Sequence, residues 1–115
     1  MTEPTIDRPT FEALKANAGA DFVLELVDTF LIEAPAMIDE LRSALAANDA
    51  DRFRRAAHSL KSNSMTFGAL TLGAQARALE LGGIGPVQQA GGKPLDSLAD
   101  EYARVAQALT ELKRE

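Results

Sequence analysis

Residues 52–68 read RFRRAAHSLKSNSMTFG. Set at 100° per residue from Phe53, the side chains of Phe53, Ala56, Ala57, Leu60, Ser64 and Phe67 gather on one face. That is the period of an amphipathic helix, and no two-residue alternation competes with it. Asn48 or Asp49 is the expected N-cap, the helix is expected to run through about Met65, and Gly68 marks the turn after it.

The pattern continues in both directions. Upstream, Phe22, Val23, Leu26, Val27, Phe30, Leu31, Ala34, Met37, Ile38, Leu41 and Leu45 follow at steps of three and four. This predicts a helix starting at Asp21 and running to about Ala47, roughly 40 Å long at 1.5 Å per residue. Pro35 interrupts its backbone bonding without resetting the stripe, which predicts a kink and not a stop. Ile32 falls off the stripe, opposite Val23. Before this helix, Thr10 is the expected N-cap of a short helix, FEALKANA, that Gly19 ends. Residues 1–9 read as a flexible N-terminal arm that Ile6 docks.

Downstream, Ala69 to Leu81 reads as a helix with Leu72, Ala76 and Leu79 inward. Residues 82–94, GGIGPVQQAGGKP, carry five glycines and two prolines and read as a mobile loop. Leu95, Leu98, Tyr102, Val105, Leu109 and Leu112 then form the seam of a last helix, about Leu95 to Lys113. The expected fold is all-α: an antiparallel up-down four-helix bundle with a short additional N-terminal helix, one domain over residues 10–115.

Composition agrees with that class and narrows the function. The chain has 115 residues, 46% hydrophobic, with few aromatics, a mix that favours helix and suffices for one core. Net charge is −5, which argues against nucleic acid held by bulk electrostatics. There is no cysteine, so disulfide and thiolate chemistry are excluded. No apolar run approaches the roughly 20 residues of a membrane span, and the N-terminus has no signal-peptide core, so a cytoplasmic location without membrane attachment is expected. The charge is unevenly spread. Arg52, Arg54, Arg55, Lys61 and Arg77 fall in a stretch, Arg52 to Leu79, that holds no acid. The rest of the chain sets seven bases against seventeen acids. Such segregation suggests a local site for something anionic.

The chain's one histidine, His58, lies in that stretch, about 140° from Phe53 on the wheel and nearly opposite the apolar face. Arg54 and Arg55 are one turn before it, Lys61 and Ser62 one turn after, and Met65 two turns after. A buried structural histidine conflicts with this placement. A metal site lacks nearby carboxylates in the stretch, and no nucleophile motif accompanies a hydrolytic triad. An exposed imidazole among cations suits a covalent phosphohistidine: cations disfavour ring protonation before transfer and stabilise phosphoryl charge afterwards. Lys61 is placed to reach phosphate oxygens, and the small Ser62 lets a partner backbone approach.

At this point residues 56–72, AAHSLKSNSMTFGALTL, resemble the histidine-containing phosphotransfer (HPt) family of two-component phosphorelays, whose pattern is roughly A-H-x-L-K-G/S-x-x-x-x-x-G-A-x-x-L. His58 matches the phosphoacceptor, Leu60 the core leucine, Lys61 the phosphate-supporting lysine and Ser62 the small residue. Gly68, Ala69 and Leu72 match the turn and the start of the next helix. Leu79-Glu80 resembles the L-E that often closes that helix, and residues 26–45 resemble the preceding one. Position 62 is Ser where Gly is commonest, and the glycine-rich loop is longer than usual.

The resemblance implies a monomeric phosphocarrier. His58, through Nε2, would accept a phosphoryl group from a phospho-aspartyl receiver domain and pass it to another response-regulator receiver. A hybrid histidine kinase would stand upstream. No cofactor of its own is expected, since the receiver would supply Mg²⁺. Kinase dimerisation domains typically place an acid directly after the histidine. Here that residue is Ser59, and no ATP-binding motif is present, so no autokinase activity is expected. Arg54, Arg55, Ser62, Met65 and Ile32, with Ala36, are the expected partner-docking residues. The alternative is a non-phosphorylated helical adaptor that binds a signalling partner through the same face.

Overall fold

The computed structural model describes residues 5–114, and every regular element among them is helical. Six helices follow in order: α1 Arg8–Ala18, α2 Ala20–Ala46, α3 Ala50–Thr66, α4 Leu70–Gly82, α5 Ile84–Gln89 and α6 Lys93–Lys113. Helix α3 packs on α2 and α4, and α6 packs on the same two helices. Phe53, Leu60, Leu41, Leu72, Leu98 and Leu109 fill the space between them and are fully buried. Helix α1 covers α2 and α3, and α5 bridges α4 and α6.

Helix α1 starts earlier than the sequence suggests. Its N-cap is Asp7, whose carboxylate accepts from the Thr10 amide at 3.2 Å and from the Thr10 hydroxyl at 2.5 Å. Thr10 therefore lies inside the first turn, where the Asp7 carboxylate takes both its amide and its hydroxyl. Ile6 is 5% exposed, and the Asp7 amide donates to the Gly68 carbonyl at 2.8 Å. Ile6 is thus buried and Asp7 is tied to the α3–α4 turn, while Arg8 and Pro9 already begin α1. The remainder of the expected arm, residues 1–4, lies outside the described residues.

Helix α2 runs 27 residues without a break, through Pro35. A proline at that position leaves the Leu31 carbonyl, four residues back, without its intrahelical donor. The Tyr102 hydroxyl of α6 donates to that carbonyl at 3.3 Å. Its ring meets Phe30 edge-on, with centroids 6.0 Å apart, and burial raises its pKa. A defect in one helix is thereby satisfied by another.

The Asp49 carboxylate caps α3, accepting from the Arg52 amide at 3.1 Å. Only Phe67, Gly68 and Ala69 connect α3 to α4, so these helices form a tight antiparallel pair. Gly68 has φ +82, and a Cβ there would lie 2.8 Å from the Asp7 carbonyl oxygen. No side chain fits between the turn and the chain that crosses it.

Residues 82–94 are largely helical where a loop was expected. Helix α5 occupies their centre and buries Ile84 and Val87. The apolar pair Ile84 and Val87 was outweighed by the glycine count in the sequence, but three residues apart they share one helical face. Pro86 sits in the first turn of α5, where its missing amide costs nothing, and α6 starts at Lys93 with Pro94 in its own first turn.

Candidate functional site

Helix α3 turns Phe53, Ala56, Ala57, Leu60 and Ser64 into the core. His58 is thrown outward by the same geometry, and its side chain is 57% exposed. Its Nδ1 lies 2.6 Å from Oε2 of Glu80, near the end of α4. The other Glu80 oxygen, Oε1, accepts from Lys61 Nζ at 2.7 Å. One carboxylate, itself only 14% exposed, therefore ties both α3 side chains together. The Lys61 bond above all, then the His58 bond, holds the Glu80 carboxyl below its usual carboxylate pKa, against a smaller opposing effect of burial.

A carboxylate beside Nδ1 selects the tautomer that carries its proton there. Nε2 is then left with a free lone pair. Because the ring lies on an exposed helix face, that lone pair is available to a partner.

Glu80 is the residue that sequence reasoning missed as part of the site. It was recognised only as the end of a helix pattern. The signal lay in the hairpin: His58 is ten residues before Gly68 and Glu80 twelve after it. At 1.5 Å per residue those lengths are about 15 and 18 Å, so the tight turn brings the two to one level. The stretch around His58 holds no carboxylate, and the hairpin brings one to it from α4.

The basic island also changes character. Arg52 forms a two-pronged pair with Glu40 of α2 at 2.7 and 2.9 Å, which lowers the Glu40 pKa and raises that of Arg52. Arg54 and Arg55 both reach Asp51, one turn back, at 3.0 and 3.2 Å. A stretch free of acids in sequence is flanked by acids in space. The charge nearest the imidazole is a carboxylate and not the ring of cations that the sequence suggests. Arg77 alone of the five bases has no ion pair among the described residues.

The remaining expected docking residues are all at the surface. Ser62 is exposed, and Met65, 47% exposed, lies across α4 where Gly73 leaves room for its sulfur. Ile32 is 76% exposed on α2. Ala36 lines an α2–α3 groove with Glu33, Met37, Arg55, Ala56 and Ser59. The site thus has an α4 side, with Lys61, Met65 and Glu80, and an α2 side, with Arg55, Ser59 and Ala36. Among the described residues no cluster of three or more potential metal ligands occurs, and no helix is long and apolar enough to cross a membrane.

A known structure and a family model share this fold. The family model of the Hpt domain matches residues 25–115. The crystal structure of histidine-containing phosphotransfer protein B from Pseudomonas aeruginosa PAO1 is similar over 98% of this chain and 97% of that chain, with a TM-score of 0.86 and 26% identity. Comparison with curated proteins finds no match. The chain belongs to the Hpt domain family, and it is a phosphotransfer intermediate of two-component phosphorelays.

Proposed function

We propose that Nε2 of His58 is the atom that carries the phosphoryl group. The observation behind this is the Glu80 contact at Nδ1, which leaves the other ring nitrogen as the nucleophile on an exposed face. In the forward step the Nε2 lone pair forms an N–P bond as the O–P bond of a receiver's aspartyl phosphate breaks. The aspartate leaves as a carboxylate. The imidazole then carries positive charge, and the Glu80 carboxylate beside Nδ1–H offsets it. Lys61 is held one helical turn away, where its ammonium supports the incoming phosphoryl oxygens. Reversal of the same step passes the group to a second receiver.

The protein acts as a monomeric carrier in the cytoplasm, without autokinase activity. It has no cofactor of its own, and the receiver brings Mg²⁺. Helices α2, α3, α4 and α6 serve as an antiparallel four-helix bundle whose α3 face is presented to receivers and to the upstream kinase. Ser62, Met65, Ile32, Arg54 and Arg55 form the docking rim. The test is incubation with a phosphorylated receiver bearing labelled phosphate. Wild-type protein should gain acid-labile, base-stable label, and His58→Gln should gain none. Label on His58→Gln, or none on wild type, overturns the reading.

A further inference from the structure

The charge count around His58 leaves one group unexplained. Lys61 is paired with Glu80 and Arg52 with Glu40, while Arg54 and Arg55 share Asp51. With a neutral imidazole, the His58–Lys61–Glu80 cluster carries no net charge. A bound phosphoryl group would place roughly −1.5 to −2 on its oxygens, offset only in part by the positive charge left on the ring. Arg77 is exposed and has no carboxylate partner among the described residues.

Two contacts locate Arg77 against α3. Gly73 lies against Met65, its Cβ position 2.5 Å from the sulfur and 3.8 Å from the Lys61 carbonyl oxygen. Glu80 binds His58 and Lys61. Because α3 and α4 are antiparallel, these contacts fix their register. Arg77 is one turn after Gly73 and one turn before Glu80, on the same side of α4. It therefore stands at the rim of the α3–α4 seam, level with Lys61 and Ser62. Its Cα is within about 6 Å of that of Glu80, and a guanidinium can span such a distance.

We propose that Arg77 is a phosphoryl-binding residue: its unpaired guanidinium, placed one helical turn from Glu80 beside the His58–Lys61 pair, donates to the phosphoryl oxygens on His58. This rests on the reading of His58 as phosphoacceptor. The planar fork of arginine matches phosphate oxygens, and no competing carboxylate has to be displaced. In the unphosphorylated protein the guanidinium stays in solvent. Once phosphorylated, the protein gains a cation that Lys61, already bound to Glu80, supplies only in part. The consequence is a phosphohistidine that persists longer in water and a transfer equilibrium shifted toward this protein.

The test compares wild type, Arg77→Ala, Arg77→Lys and Lys93→Ala, all phosphorylated by one labelled phospho-receiver. Lys93 is also exposed and has no ion pair among the described residues, but lies on α6 away from the site. Two quantities are read: the partition of label between receiver and carrier at equilibrium, and the hydrolysis rate of isolated phosphorylated carrier. Arg77→Ala should shift the partition toward the receiver by about 5-fold and speed hydrolysis, with Arg77→Lys intermediate and Lys93→Ala unchanged. Unfolding midpoints should match wild type, which separates the effect from a structural one. If wild type takes label and Arg77→Ala stays within about 2-fold of it in both measurements, the role of Arg77 is refuted while phosphotransfer stands. Equal shifts in Arg77→Ala and Lys93→Ala would also refute it, since bulk charge would then suffice. A wild type that takes no label would overturn the phosphoacceptor reading itself.

Discussion

Replacing Gly68 with alanine tests how the turn that aligns α3 and α4 is built. Two separate penalties are expected. The first is backbone strain: φ is +82, and an L-residue with positive φ costs about 1–2 kcal/mol. Alanine recovers roughly 0.4–1 kcal/mol of this by restricting the unfolded chain. The second is steric. The new Cβ would meet the Asp7 carbonyl oxygen at 2.8 Å and the Thr10 Cβ at 3.0 Å. The first of these is backbone, held by the Asp7 amide bond to Gly68 and by the α1 cap, so it yields only if the segment moves. Forcing an extra methyl into such a contact costs about 1–3 kcal/mol. The sum is ~2–4 kcal/mol. Gly92→Ala is the control, because Gly92 has nearly the same φ, +81, with nothing within 4 Å of its Cβ position. It should lose only about 1 kcal/mol. Urea unfolding followed by circular dichroism measures both. At about 4 °C per kcal/mol for a chain of this size, the two variants should also differ by roughly 4–12 °C in Tm. If they lose the same stability, the close approach of the N-terminal segment is not what glycine preserves at position 68, and the argument fails.

Two other perturbations address the site and its scaffold. Glu80 has a folded-state pKa below its usual value of 4.5, so its contacts stabilise the protein above that value and are lost as pH falls through the folded pKa. Glu80→Gln should therefore be less stable than wild type near neutral pH, with the gap in urea midpoint closing in acid; a gap that does not vary with pH would show that the carboxylate charge is irrelevant. Glu40 titrates in the same window but is common to both proteins, so it cancels from the difference. Tyr102→Phe should cost ~0.5–1.5 kcal/mol by leaving the Leu31 carbonyl without a donor. In a Pro35→Ala background that cost should shrink, because an alanine amide at 35 can donate to Leu31 itself; equal costs in both backgrounds in a double-mutant cycle would contradict the compensation.

Much of the fold was legible because it depends on local periodicity. The apolar stripes of α2, α3 and α6 are set by residues three and four apart, and the burial of Val27, Phe30, Leu60, Leu98 and Leu109 follows those stripes. The outward aspect of His58 is a consequence of the same periodicity. Helix α5 was hidden because six residues with glycine and proline carry too little pattern to outweigh turn-forming composition, and only packing of Ile84 and Val87 stabilises them as helix. The Asp7 cap was missed because Asp7 and Thr10 are both good caps, and the choice between them depends on the contact with Gly68.

The stretch from Phe53 to Phe67 determined by itself that a helix forms, which face is apolar, and that one imidazole points to water. Those properties depend on neighbours within two turns. The tertiary structure decided what surrounds that imidazole. Glu80 is 22 residues from His58 in the chain, and Glu40 is 12 from Arg52, so neither pairing is visible to a local pattern. Both arise because short connections fold long helices back to equal depth, and because a carboxylate near partly buried cations lowers its free energy most by binding them. Composition could count the charges, but only the packing of α3 against α2 and α4 could say which of them pair and which, like Arg77, have no ion pair among the described residues.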